Sequence, residues 1–135
     1  MFSALKRRKK EDFKDKYQRI LLTLPSYHDL KDENSYHMML LGMCAWLCHD
    51  YKIISNREAG KGRCYIILKA RKENQVSYIL EFKYAKDSNT DLKELAKTAV
   101  EQIKDRKYDT EISGKIIYIG LAHYQKNIEI EWQEK

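Results

Sequence analysis

The chain has 135 residues, 43% hydrophobic and 34% charged, so it can close one packed core and is not compositionally disordered. No apolar run approaches the roughly 20 residues needed to cross a bilayer, which excludes a membrane-spanning helix. A net charge of +6 suits a polyanionic partner, but 20 acidic residues temper that inference.

The N-terminal stretch is charged and lacks both an apolar core and a small-residue cleavage site, so no export signal is expected there. Three cysteines (Cys44, Cys48 and Cys64) form no disulfide framework, and an odd count without an export signal implies a reducing, cytoplasmic setting. Cys44, Cys48 and His49 are near neighbours but lack a second pair of zinc ligands, so they read as part of an apolar helix. The basic run Lys6-Arg7-Arg8-Lys9-Lys10 reads as a solvated arm, with phosphate contact as the second reading.

Phe13, Tyr17, Ile20, Leu21 and Leu24 recur at helical spacing and form an apolar stripe, which Pro25 ends. A second helix is expected over 32–48, with Asp32 and Glu33 at its electropositive start. Residues 51–55 are β-type, and 56–62 (NREAGKG) read as a glycine-bearing loop. Residues 63–70 and 76–84 alternate as strands around a polar turn. Asp91 and Glu94 have capping-box spacing, and Leu92, Leu95, Ala96, Ala99, Val100 and Ile103 mark a helix ending near Tyr108. Residues 115–122 form a nearly unbroken apolar run, as expected for an interior strand, and 127–132 alternate as a last strand.

The order α-α-β-β-β-α-β-β implies an α/β (α+β) domain spanning 1–135. Residues 1–30 form a basic arm and first helix, and 31–135 form the core. A crossover helix makes the central sheet mixed and flanked by helices.

One constellation could carry chemistry. Glu81 and Lys83 share a strand face, because side chains alternate with period two. On an apolar strand this is either a cross-strand ion pair or a metal ligand beside a group that orients water. The neighbouring strand aligns Arg63, Tyr65, Ile67 and Lys69 on one face. The charged, glycine-bearing segment before it, with Arg57 and Lys61, could approach a phosphate.

The runs SNREAGKGRCYIILKA, YILEFKYAK, LKELAKTAVEQIKDRKYD and IIYIGLAHYQKNIEIEW, in that order, resemble the PD-(D/E)xK nuclease superfamily over about residues 30–132. More closely, they resemble the branch found C-terminal to AAA-type ATPase-like domains in bacterial and some archaeal proteins. The resemblance implies a restriction-endonuclease-like αβββαβ core, here with an extra N-terminal helix and C-terminal strand. It implies a metal-dependent nuclease using Mg²⁺ or Mn²⁺ on nucleic acid, DNA first. It also implies a preceding ATPase-like domain in a longer chain, and it is compatible with a homodimer.

Carried over by position, Glu81 matches the acidic metal ligand and Lys83 the catalytic lysine. Glu33 matches an acidic position that assists at the metal. Gln102 and Tyr108 match a helix motif lining the site, and Arg57, Lys61 and Arg63 are the expected nucleic-acid contacts. The departure is Tyr65, which stands where the family pattern has the second metal-binding Asp. A phenol titrating near 10 is a poor ligand for Mg²⁺, so impaired hydrolysis is the expectation. Glu58 is the nearest acidic alternative. A nuclease fold retained only for binding nucleic acid or protein is the competing reading. In a third, the first helix serves assembly.

Overall fold

The computed structural model describes residues 9–23, 39–42, 44–58, 63–106, 108, 109 and 112–135, except the side chains of Thr23, Trp46, Asn56, Arg57, Glu58 and Arg63. Helix α1 runs Lys10–Thr23. Helical residues around 39–44 end in a short 3₁₀ turn, Ala45–Leu47. Strands β1 (Tyr51–Glu58), β2 (Arg63–Ala70) and β3 (Ser77–Tyr84) follow. Helix α2 spans Leu92–Arg106, and β4 (Ile116–Tyr124) and β5 (Asn127–Glu134) complete the chain.

The sheet order is β1-β2-β3-β4-β5. Strands β1, β2 and β3 form an antiparallel meander, α2 carries the chain across to β4 parallel to β3, and β5 returns antiparallel. This is the mixed, helix-flanked α+β sheet that the element order implied. Strand β4 is interior and buried along nearly its whole length, as its unbroken apolar run required.

Two clusters form the core, one on each sheet face. Phe13, Tyr17 and Leu21 of α1 are fully buried against Ile66, Leu68, Tyr78, Leu80, Phe82, Ile119 and Leu121. The first helix therefore spends its apolar stripe on its own sheet. On the other face Val100 and Ile103 of α2 pack on Ile67, Ile79, Ile116 and Tyr118.

Helix α2 starts where Asp91 Oδ1 accepts hydrogen bonds from the backbone N–H of Lys93 (3.0 Å) and Glu94 (3.3 Å). Glu94 in its first turn and Lys104 and Arg106 in its last suit the helix dipole. Its buried face presents the small residues Ala96 and Ala99. They meet Gly120 of β4, where an added Cβ would lie 2.1 Å from the Ala96 carbonyl oxygen and 3.0 Å from Ala99 Cβ. Gly120 is thus what lets α2 seat directly on the sheet.

Two boundaries differ from the sequence reading. Strand β1 continues to Glu58 rather than stopping near Ser55. Pairs Arg57↔Cys64 and Glu58↔Arg63 extend the ladder through polar residues, because backbone pairing is indifferent to side-chain polarity at a solvent-facing edge. Arg57 therefore sits in a strand, not in a loop, while Arg63 opens β2 as expected. The second helix gives way to the 3₁₀ turn before Cys48. Residues 32–38, with the proposed start of that helix, lie outside the described residues. No helix among the described residues is long and apolar enough to cross a membrane.

Candidate functional site

Glu81 and Lys83 lie near the carboxyl end of β3, where its two neighbours behave differently. Pairing with β2 runs from Leu68↔Tyr78 to Tyr65↔Glu81 among the described residues, whereas pairing with β4 continues to Tyr84↔His123. Among the described residues the β2–β3 ladder thus ends at the Tyr65–Glu81 pair. Glu81 is 0% exposed and Lys83 9% exposed. Carboxylates and ammonium groups seldom sit so deep without a partner charge or a bound cation, since stripping their water costs several kcal/mol.

Tyr65 and Glu81 are direct register partners, so their side chains leave the sheet on one face. The Tyr65 ring stacks on Tyr108 with centroids 4.0 Å apart and planes 29° apart. Burial raises the Tyr108 phenol above its ordinary range, the hydrogen bond from Arg106 opposes that shift, and the negative charge of Glu81 adds to it. Arg106 Nη1 donates to Tyr108 Oη at 3.3 Å. The segment bearing Tyr108 is pinned by its neighbour Asp109, which accepts from Tyr118 Oη (2.6 Å) and pairs with Lys135 (2.7 Å). Those two donors, Lys135 first, hold the Asp109 carboxyl below the usual range. Tyr65, Glu81 and Tyr108 therefore form one compact group, with Lys83 next along the strand on the same face.

Gln102 lies on α2, the helix covering that face, and its Oε1 is buried without a hydrogen-bond partner among the described residues. Arg63 precedes Tyr65 by two on β2, and Arg57 is paired with Cys64 rather than with Tyr65, whose β1 partner is Asn56. Glu33 and Lys61 lie outside the described residues, as do the side chains of Arg57, Arg63 and Glu58.

A second network runs beneath Lys83 on the opposite face. His123 is fully buried. Its Nδ1 is 3.1 Å from the Lys83 carbonyl oxygen and its Nε2 is 2.8 Å from Tyr17 Oη. A carbonyl only accepts, so Nδ1 carries the proton, Nε2 accepts, and the Tyr17 hydroxyl donates. Burial pushes the imidazole down to about 3, against the pull of the Lys83 carbonyl, so the ring is neutral. Helix α1 is thereby tied through one side chain to the backbone of Lys83. Sequence reasoning missed this link, although a histidine within the apolar run of β4 and a tyrosine within the stripe of α1 were both visible.

A family model described as the PD-(D/E)XK nuclease superfamily matches residues 31–133, most of the chain. The chain belongs to the PD-(D/E)XK nuclease superfamily. Neither the curated proteins nor the solved structures compared with it give a match.

Nucleases of this superfamily generally use divalent metals such as Mg²⁺. Among the described residues no three His, Cys, Asp or Glu side chains come together to hold one. The oxygen donors grouped at the end of that ladder are one carboxylate, Glu81, and two neutral phenols, with the Gln102 amide on the covering helix. Mg²⁺ prefers carboxylate and water oxygens, so this described set does not by itself fit the ion. Cys44 is buried in the core, and that burial pushes its thiol up to about 12.

Proposed function

We propose that this domain acts on nucleic-acid phosphodiesters as a nuclease-type module whose metal-dependent hydrolysis is impaired by Tyr65. The observation that carries the reading is the direct pairing of Tyr65 with Glu81, its ring stacked on Tyr108. The position opposite the buried acid is filled by a packed aromatic, not a carboxylate. The roles in the intact chemistry are Glu81, with Glu33, as metal-holding acids for Mg²⁺ or Mn²⁺ and Lys83 as the group orienting the attacking water. Gln102 would line the site from α2. Arg57, Lys61, Arg63 and Tyr108 would contact nucleic acid, DNA in the first instance.

Replacing Tyr65 by aspartate would set two carboxylates on register-paired strand positions. Directly opposed residues have Cβ atoms about 4.5–5.5 Å apart, a separation one ion can bridge. The same substitution removes the stack on Tyr108.

The second reading is a module that binds nucleic acid without cutting. The half-buried Tyr65–Tyr108 stack favours it, since an aromatic surface contributes about 1–3 kcal/mol per stacked base in single-strand binders.

The test is cleavage of supercoiled plasmid and of single-stranded DNA with Mg²⁺ and Mn²⁺, comparing the chain with Tyr65→Asp, alongside Mn²⁺ binding by both. Cutting and Mn²⁺ binding that appear only in Tyr65→Asp support impairment at Tyr65. Equal cutting by both overturns the impairment. Silence of both, with no Mn²⁺ bound by either, overturns the metal-site assignment.

A further inference from the structure

Helix α2 packs over β3, β4 and β5 and, among the described residues, makes no extensive contact with β1. Lys52 and Ile54 of β1 are exposed there. Lys52 is the direct register partner of Lys69, and Ile54 that of Ile67. By alternation along β2, Lys69, Ile67 and Tyr65 share this face. A like-charged pair directly opposed across two strands is unfavourable on its own. Among the described residues neither lysine is in an ion pair.

Both lysines line a single open cleft of about 240 Å³, completed by Ala70 and Arg71. Three cations converge on it, and among the described residues no carboxylate lines it. The nearest acid in sequence, Glu73, lines a neighbouring cleft with Arg71, Lys72 and Gln75. Arg71 is held in place: its Nε–H donates to the Cys48 carbonyl at 3.1 Å and its backbone N–H to the Asp50 carbonyl at 3.1 Å. The Nε–H is one of five donors on the guanidinium, so the fork keeps capacity for an oxyanion.

We propose that Lys52, Lys69 and Arg71 form a phosphate-binding cleft for the backbone of a nucleic-acid strand that continues along the exposed edge strand β1, past Ile54, toward Tyr65. The proposal rests on the nucleic-acid reading above and extends its contact surface to a second, rigidly spaced anchor. Lys69 and Tyr65 are four residues apart on one strand, about 13 Å at strand rise, so the anchor and the site are set at a fixed distance. The exposed Ile54 between them offers apolar surface to a sugar or base. An extended polyanion fits this layout better than a small anion, because the positive cleft and the half-buried Tyr65 are separated along the exposed β1 edge, while Ile67 between them on β2 is buried under α2.

The experiment is a salt titration of binding to a fluorescently labelled single-stranded DNA, read by anisotropy. The intact chain is compared with a triple Lys52→Gln, Lys69→Gln, Arg71→Gln variant and with Lys16→Gln, Arg19→Gln on α1, the opposite side of the sheet. Each backbone cation contributes roughly 0.7 to the salt slope on single strands, so the triple variant loses about 2 from it. Going from about 50 to 200 mM salt, the intact chain then weakens roughly 20-fold more than the triple variant, while the α1 variant behaves as the intact chain.

An unchanged slope in the triple variant, with the intact chain still binding, overturns the cleft and leaves the nucleic-acid reading standing. So does an equal loss in the α1 variant. No binding by the intact chain at the lowest salt overturns both. A third arm titrates inorganic phosphate and the DNA against the NMR signals of Lys52 and Lys69. Perturbation by phosphate but not by DNA identifies a small-anion site and overturns the proposal.

Discussion

Acidification tests the buried Tyr17–His123–Lys83 link directly. His123 is sealed from solvent, and its neutral ring donates from Nδ1 to the Lys83 carbonyl and accepts at Nε2 from Tyr17. In the unfolded chain a histidine takes a proton near pH 6.5, whereas in the fold burial delays protonation to about 3. Between those values the unfolded state binds the extra proton, so stability rises with pH. The contribution is complete above about 6.5, is lost progressively as pH falls toward 3, and changes no further below that. The limiting slope is about 1.4 kcal/mol per pH unit, and at pH 5 the loss comes to about 2 kcal/mol. Against a typical total of about 5–15 kcal/mol, this is readily measurable.

The assay is urea unfolding at pH 7.5, 6 and 5 for the intact chain and for His123→Asn. The asparagine amide can still donate to the Lys83 carbonyl but does not titrate. Carboxylate contributions are common to both proteins and cancel in the difference. The stability advantage of histidine over asparagine is expected to shrink by about 2 kcal/mol between pH 7.5 and 5. A difference independent of pH, or one that grows on acidification, would refute the neutral, sealed histidine and with it the hydrogen-bond directions assigned here.

Two further outcomes follow from the seating of α2. Gly120→Ala places a methyl 2.1 Å from a backbone carbonyl oxygen, which no side-chain rotation can relieve, so a loss of about 1–3 kcal/mol or more is expected in urea unfolding. Adding Ala99→Gly should not rescue it, because that change removes only the 3.0 Å contact; full rescue would show that the helix backbone yields easily. Asp91→Ala removes the acceptor for two helix N–H groups and should cost about 1 kcal/mol, with faster hydrogen exchange at Lys93 and Glu94. Unchanged exchange there would mean that water replaces the cap at no cost.

The order of elements, the interior placement of β4 and the shared face of Glu81 and Lys83 were all legible in the sequence. They depend on period and composition: alternation marks strands, a stripe at helical spacing marks α1 and α2, and a wholly apolar run implies burial on both faces. The family was legible for the same reason, since its motifs are local runs in a fixed order.

What only the tertiary structure decided are meetings between distant segments. Tyr65 stacks on Tyr108, His123 joins Tyr17 to the Lys83 backbone, and Gly120 admits α2 against the sheet. Lys52 and Lys69 face each other across β1 and β2 because register, not spacing, sets which residues are opposed. No local pattern encodes these pairings, because each depends on strand register and helix seating, which the packing of the whole chain determines.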